Sequence, residues 1–200
     1  MTVRTGPAPR RGRPGYDLEG LLRVAVELFN ERGYDGTSME DLGRKLGITK
    51  SAIYHHVSSK DELLRLAVDR ALDGLFAEVA KLDEVEGRAV DKLEQLVRGS
   101  VHVLVERLPY VTLLLRVRGN TQVERDALAR RREFDQIVTG LAEQAISEGD
   151  IRPISDRSTV ARLLFGMVNS IIEWYRPGGP ADADELAEML VDMAFHGLRG

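Results

Sequence analysis

The chain of 200 residues is 43% hydrophobic and 30% charged, with a formal net charge of −4, so it can bury the core of one or two compact units. We find no apolar run of membrane-spanning length and no apolar N-terminal segment typical of a secretory signal, and therefore expect no membrane association. The absence of cysteine excludes disulfides and thiolate chemistry and is typical of a cytoplasmic protein.

Residues 1–15 are rich in proline, glycine and arginine and lack hydrophobic periodicity, which predicts a disordered basic arm. Arg11 and Arg13 lie in this arm without neighbouring acids, and N-terminal arms of other proteins enter the minor groove of DNA. We therefore expect both arginines to contact DNA, with a solubilising tail as the open alternative. Acidic residues crowd the opposite end of the chain, and this asymmetry suits a protein that faces DNA with one end only.

The first predicted helix spans residues 18–32, and residues 37–64 continue with a helix, a tight turn, a second short helix and the capped start of a third. Thr37 and Glu40 have the spacing of a capping box at the start of the first of these. A glycine ends that helix in a position that permits a left-handed backbone. The pattern is that of a helix-turn-helix, whose second helix presents side chains to a DNA groove.

This stretch resembles the DNA-binding domain of transcriptional regulators of the TetR/AcrR family. The matching segments are VAVELFNERGYDGTSM, Leu42-Gly43, Leu46-Gly47, Thr49 to Val57, Ser58 to Asp61 and Leu63, within about residues 16–65. The resemblance implies an all-α fold of about nine helices and a homodimer that binds double-stranded operator DNA. It also implies a helix-turn-helix DNA-binding domain over residues 16–62 and a helical effector-binding and dimerisation domain over residues 63–200.

A recognition helix must present side chains that reach phosphates and base edges. Lys50 lies near a helix N-terminus, where phosphate binds well, and the family resemblance implies a phosphate contact for Tyr54. Small residues between them permit a close approach to the bases. The predicted DNA contacts are Thr37, Ser38, Thr49, Lys50, Ser51, Ala52, Tyr54, His55 and Lys60. Solvated surface residues are the alternative for each.

The rest of the chain shows hydrophobic residues at helical spacing throughout, without any strand pattern. The predicted segments are 60–81, 93–108, a short helix that begins near Pro109, 121–148, 156–175 and 183–197. The segment 156–175 is apolar almost all round, which indicates burial on more than one side. We therefore expect it to form the dimer interface together with 183–197.

Polar residues interrupt these apolar helices and predict a ligand cavity. Arg131 falls on the apolar stripe of its helix, while Arg162 and Asn169 share one face of another. Buried polar groups need partners, so these side chains would hold a polar group of a ligand, unless they are the solvated edge of their helices. The predicted ligand-binding residues are Arg116, Arg118, Arg131, Phe134, Arg162, Phe165, Asn169 and Trp174.

The segment EWYRPGG, residues 173–179, resembles the same helix end in a TetR subgroup that represses catabolism of fatty acids, phenylacetate or steroid rings. That resemblance implies release from the operator by a hydrophobic acyl-CoA thioester, with arginines on the CoA phosphates. At about 0.8 kcal/mol per buried CH₂, bulky acyl groups should act better than short ones. Phe165 and Asn169 stand where a steroid-ring relative has Arg and Trp, which argues against a steroid ligand.

Three alternatives remain open from the sequence. They are a multidrug-type ligand sensor of the same fold, a regulator switched by a protein partner, and an all-α enzyme without DNA binding. No nucleophile–base spacing or glycine-rich phosphate loop supports the enzyme. His55 and His56 are adjacent on a helix and point about 100° apart, so they are poorly placed to share a metal. We expect no metal and no cofactor.

Overall fold

The computed structural model describes residues 17–153 and 157–197, and this part of the chain is helical throughout, without a strand. Its helices are α1 Leu18–Arg32, α2 Met39–Leu46, α3 Lys50–Tyr54, α4 Lys60–Lys81, α5 Ala89–Glu106, α6 Leu108–Arg116, α7 Gln122–Glu148, α8 Arg157–Trp174 and α9 Ala183–Val191, followed by a π-helical turn, Asp192–His196. The predicted all-α class and the count of about nine helices are confirmed. Arg11 and Arg13 lie outside the described residues.

The helix α2 begins one residue later than predicted. The Ser38 hydroxyl accepts the Asp41 N–H at 3.1 Å, and the Asp41 carboxylate accepts the Ser38 N–H at 3.0 Å. The predicted capping box of Thr37 and Glu40 is therefore wrong. Thr37 is 1% exposed, and its hydroxyl donates to the Gly33 carbonyl oxygen at 2.9 Å, so it closes the C-terminal end of α1 and is not free to cap α2.

Two glycines permit the tight turn between α2 and α3. Gly47 has φ 67°, a left-handed conformation that other residues adopt only under strain. At position 43, a Cβ atom would lie 2.9 Å from the Ile48 carbonyl oxygen, so only glycine lets the turn pass this close to α2. Thr49 then caps α3 by accepting the Ala52 N–H at 3.2 Å. The short α3 is therefore held at a fixed angle to α2.

The long helix α4 joins the two halves of the molecule. It packs against α1 and also against α5, α6 and α7. One hydrophobic core runs continuously from the buried face of α1 through α4 to α6, α8 and α9. A domain boundary at residues 62 and 63, which we predicted, would fall in the first turn of α4. Both α4 and α6 are therefore in direct packing contact with α1.

An exposed apolar face remains on α8, α9 and the turn that follows. Leu163 is 63% exposed and Trp174 55% exposed on α8, and Met189 on α9 is 59% exposed. Other apolar residues of the same helices are buried against α5 and α6, so α8 has two apolar sides, as its composition predicted. Across residues 17–153 and 157–197, no helix combines the length and apolarity needed to span a lipid bilayer.

Candidate nucleic-acid interface and effector cavity

The short helix α3 presents its polar side outward. Ile53 is fully buried and anchors the helix, while Tyr54 is 45% exposed on the opposite side. The Lys50 ammonium lies 2.5 Å from a Glu40 carboxylate oxygen and 6.0 Å from the centre of the Tyr54 ring. The hydrogen bond to Glu40 raises the pKa of Lys50 and lowers that of Glu40. Lys50 is thus charged and ready to exchange this exposed partner for a phosphate.

The structure brings most of the predicted DNA contacts together on this one surface. We call it the recognition surface, and its members from the sequence prediction are Thr49, Lys50, Ser51, Ala52, Tyr54 and His55. All of them are exposed except Ala52, which is partly covered. Ser38 lies near the start of α2, where its hydroxyl is used in the cap. Arg44 near the end of α2 also points outward and was missed, although a basic pair at a helix end was visible in the sequence.

Thr37 and Lys60 are turned away from the recognition surface. The Lys60 ammonium donates to the carbonyl oxygens of Tyr34 and Thr37, each at 2.9 Å, and lies 4.0 Å from the centre of the Tyr34 ring. The Tyr34 hydroxyl donates to the Asp61 carboxylate, and burial, followed by this hydrogen bond, raises the pKa of Tyr34. These contacts tie the first turn of α4 to the loop between α1 and α2. In this arrangement Lys60 supports the fold of the helix-turn-helix.

A small apolar cavity lies between α4, α5, α6, α7 and α8. Its volume is about 40 Å³, and one wall is formed by Phe134 and Phe165, whose rings meet edge to face at 5.1 Å. The lining residues are Leu72, Leu75, Ser100, Leu104, Val111, Leu114, Leu115, Arg131, Phe134, Asp135, Phe165, Val168 and Asn169. This inner cavity is therefore a mainly apolar chamber with four polar residues in its lining, Ser100, Arg131, Asp135 and Asn169.

A wider cleft of about 620 Å³, with several charged side chains on its walls, opens to the surface between α7 and α8. It is lined by Arg131, Arg132, Asp135, Gln136, Thr139, Gly140, Glu143, Ser158, Ala161, Arg162, Phe165, Gly166 and Asn169. Arg131, Asp135, Phe165 and Asn169 belong to both the cleft and the inner cavity. We call these four residues the mouth. They join the outer cleft, which carries charged side chains, to the apolar inner cavity, so a ligand with one charged and one apolar end fits the route.

Four polar side chains of this route are available to a ligand. Among the described residues, no side-chain hydrogen bond or ion pair is formed by Arg131, Arg162 or Asn169, nor by the carboxylate of Asp135. Burial raises the pKa of Asp135, and the positive charges of Arg131 and Arg162 oppose that effect. Free arginines beside an apolar cavity are the arrangement expected of a site for an anionic amphiphile.

The sequence prediction found only part of this site. Arg131, Phe134, Arg162, Phe165 and Asn169 do line the cavity or the cleft. Asp135 and Arg132 were missed, although the spacing of four residues from Arg131 to Asp135 places both on one side of α7.

Three predicted ligand residues lie elsewhere. Arg116 and Arg118 are exposed near the end of α6, and the Arg116 guanidinium donates to the Asn30 carbonyl oxygen at 2.9 Å. Trp174 is on the exposed apolar face beside Met189 and Met193. Neither the inner cavity nor the cleft includes any of the three.

Both halves of the chain match known protein families. Residues 21–67 match bacterial regulatory proteins of the tetR family, and residues 86–198 match the tetracyclin repressor-like C-terminal domain. The second match alone spans more than half of the chain. These matches indicate a DNA-binding regulator and not the all-α enzyme that the sequence left open.

Individual relatives agree with the family matches. The crystal structure of SCO3833, a TetR-family regulator of Streptomyces coelicolor A3, is 52% identical, has a TM-score of 0.86 and covers 92% of this chain and 94% of its own. The transcriptional repressor KstR2 of Rhodococcus jostii strain RHA1 is 28% identical over 94% of this chain and 93% of that protein. AibR, crystallised with isovaleryl coenzyme A and operator DNA, is 26% identical with a TM-score of 0.74 over 88% of this chain and 97% of its own. The chain therefore belongs to the TetR family of DNA-binding transcriptional regulators.

Proposed function

We propose that this TetR-type repressor is released from its operator by a short-chain acyl-CoA thioester. The observation that carries the proposal is the continuity of the apolar inner cavity with the arginine-bearing cleft. The acyl group would fill the cavity, the pantetheine arm would pass the mouth, and the phosphates would lie on the arginines of the cleft. Arg131 and Arg162 are free to form bidentate pairs with phosphate oxygens.

A neighbour of the same fold supports this class of ligand. AibR was crystallised with isovaleryl coenzyme A and operator DNA together, so a chain of this architecture accommodates such a thioester. Charge at the cleft points in the same direction, because Arg131, Arg132 and Arg162 outnumber the carboxylates of Asp135 and Glu143. An anion is therefore favoured over a cation in the outer part of the site.

The size of the inner cavity favours a short acyl group. A volume of about 40 Å³ is small beside the roughly 150 Å³ of a cavity that binds benzene, so a short acyl group requires the least rearrangement of the wall. Longer chains or fused rings would have to displace the aromatic wall of Phe134 and Phe165. The sequence-based expectation that bulky acyl groups act best is accordingly replaced by a preference for short and branched ones.

Helix α6 provides a route from the cavity to the DNA-binding half. It contributes Val111 and Leu114 to the cavity wall, and it is attached to α1 through Asn30. The Asn30 side-chain amide donates to the Pro109 carbonyl oxygen at 2.8 Å, and the Asn30 backbone carbonyl oxygen accepts from the Arg116 guanidinium. A ligand that moves α6 would move α1 with it. Release would then be a population shift between two spacings of the recognition surfaces in a dimer.

The second copy needed for that mechanism has an obvious place to bind. We infer that the exposed apolar face of α8 and α9, with Leu163, Trp174 and Met189, is covered by the same face of a partner. Large exposed apolar patches on otherwise polar surfaces mark association sites. In this arrangement Trp174 serves dimerisation and does not contact the effector.

The test is an operator-release titration followed by fluorescence anisotropy. Acetyl-, isovaleryl-, octanoyl- and oleoyl-CoA are compared with free isovalerate and a drug-like cation. We expect isovaleryl-CoA to release DNA at the lowest concentration. Arg162→Met should raise the concentration required and leave operator affinity unchanged. Release by the cation alone, with none by any thioester up to about a millimolar, would replace the proposal with a multidrug-type sensor, for which the free carboxylate of Asp135 would be the binding group.

A further inference from the structure

Asp135 occupies an unusual place for a carboxylate. It follows the wall residue Phe134 on α7 and lines both the apolar inner cavity and the outer cleft. No side chain within ion-pair distance neutralises it, although Arg131 lies one turn earlier on the same helix. Asp135 is solvent-exposed and its carboxylate forms no hydrogen bond or ion pair among the described residues, so it is free to accept a hydrogen bond from an occupant of the site.

We propose that the Asp135 carboxylate accepts a hydrogen bond from the first amide N–H of the pantetheine arm. Through this contact the protein would bind a thioester in preference to the corresponding free acid. The inference rests on the proposed function. When the acyl group fills the cavity, the sulfur is at the mouth, and the nearest amide N–H follows after two methylenes. That N–H would then lie close to the mouth, where Asp135 offers an acceptor. A free carboxylic acid would bring a second negative charge to the same place.

Asn169 completes the recognition of that amide. It lies across the mouth on α8 and has no side-chain hydrogen bond in the described part of the chain. Its NH₂ group can donate to the amide carbonyl while Asp135 accepts from the amide N–H. A carboxylate on α7 and a carboxamide on α8, both at the mouth, therefore match both polar atoms of a secondary amide, and neither matches an aliphatic chain.

A second carboxylate in the cleft makes it possible to distinguish this role of Asp135 from a general effect of charge on phosphate binding. Glu143 lies on the same side of α7, two turns beyond Asp135, and lines only the outer cleft. Removing either carboxylate makes the cleft more positive by the same amount. Only the removal of Asp135 changes the mouth, so Glu143→Gln is a matched control for charge.

The experiment measures dissociation constants by titration calorimetry for the full-length dimer and three variants: Asp135→Ala, Asp135→Asn and Glu143→Gln. The probes are isovaleryl-CoA, S-isovaleryl-N-acetylcysteamine, which keeps the first amide, the S-ethyl thioester of isovalerate, which lacks it, and free isovalerate. The wild type should prefer the N-acetylcysteamine thioester over the S-ethyl thioester by about tenfold, which corresponds to about 1.4 kcal/mol.

Asp135→Ala should remove this preference, and both Asp135 variants should bind free isovalerate at least tenfold better than the wild type. Asp135→Asn should retain part of the amide preference, since its amide oxygen is still an acceptor, and Glu143→Gln should retain all of it. If isovaleryl-CoA binds but Asp135→Ala keeps the full preference and still rejects isovalerate, the role of Asp135 is overturned and the proposed function stands. If isovaleryl-CoA does not bind the wild type at all, both are overturned.

Discussion

The two lysines that flank the recognition helix should respond in opposite ways to the same substitution. Lys50 is exposed on the recognition surface, and its exposed partner Glu40 can be exchanged for a phosphate. Lys60 is half-buried and donates to two backbone carbonyl oxygens, from Tyr34 and Thr37. We expect Lys50→Met to change DNA binding without loss of stability, and Lys60→Met to lower stability without loss of a phosphate contact.

The structure sets the size of both effects. Hydrogen bonds from a charged donor contribute about 1.5–3 kcal/mol each, and the half-buried position of Lys60 places its pair at the low end, about 3 kcal/mol in total. For a chain of this size that loss lowers the melting temperature by roughly 5–15 °C. Each phosphate contact contributes about 0.9 to the slope of log K against log salt. Lys50→Met removes this contact from both subunits of a dimer, so it should flatten the slope by about two.

The assay pairs thermal denaturation with anisotropy titrations of operator DNA between about 50 and 200 mM salt, a range in which phosphate contacts dominate affinity. Titrations are made well below the melting temperature of the weaker variant. If Lys60→Met flattens the salt slope as much as Lys50→Met and leaves the melting temperature unchanged, Lys60 binds phosphate and its contacts with Tyr34 and Thr37 do not support the fold.

Three further predictions concern other parts of the molecule. Met189→Glu should convert the dimer to a monomer in light scattering, whereas Leu18→Glu, also at an exposed apolar position, should leave the dimer intact. If both variants remain dimeric, the α8–α9 interface is refuted. Hydrogen bonds from Ser38 lower the pKa of Asp41, so the stability that Asp41 contributes is present above its usual value of 3.8 and is lost as pH falls through the lower folded value. Urea unfolding between about pH 5 and pH 2 should therefore weaken the wild type more than Asp41→Asn, and parallel curves would exclude this role. Asn30→Ala removes the side-chain bond to α6, so isovaleryl-CoA should bind with unchanged affinity in calorimetry but release the operator less completely; full release would show that α6 acts through another contact.

Local pattern was sufficient to predict the helices and the outer surface of α3. Helical spacing, the caps and a left-handed glycine are properties of neighbouring residues, and Gly47 has the predicted conformation. The error at Thr37 has a local cause too, because two adjacent residues both favour the N-cap and the sequence does not tell which hydroxyl turns inward. Only the packing of α1 against α2 decides that Thr37 closes one helix and Ser38 opens the next.

Long-range contacts determine what the sequence did not reveal. The two carbonyl partners of Lys60 lie 26 and 23 residues earlier in the chain, so no local pattern distinguishes a fold-supporting lysine from one that binds phosphate. Trp174 and Arg116 carry suitable chemistry for a ligand, but the packing of their helices points them to the exposed apolar face and to α1. The residue types indicated which interactions these side chains can make, but the packing of their helices determines which groups they contact.

The adjacent arginines of α7 show why the effector site needs the three-dimensional arrangement. Arg130 donates to Asp69 at 2.8 Å and to Asp73 at 2.7 Å, and lies 5.3 Å from the centre of the Phe76 ring. Arg131, turned by about 100° around the helix, reaches the mouth of the cavity and finds no such partner. Arg130 is thus paired with two carboxylates, whereas Arg131 forms no ion pair among the described residues. A side chain left unpaired beside an apolar chamber, when partners were available one residue away, is the strongest reason to assign Arg131 to a ligand.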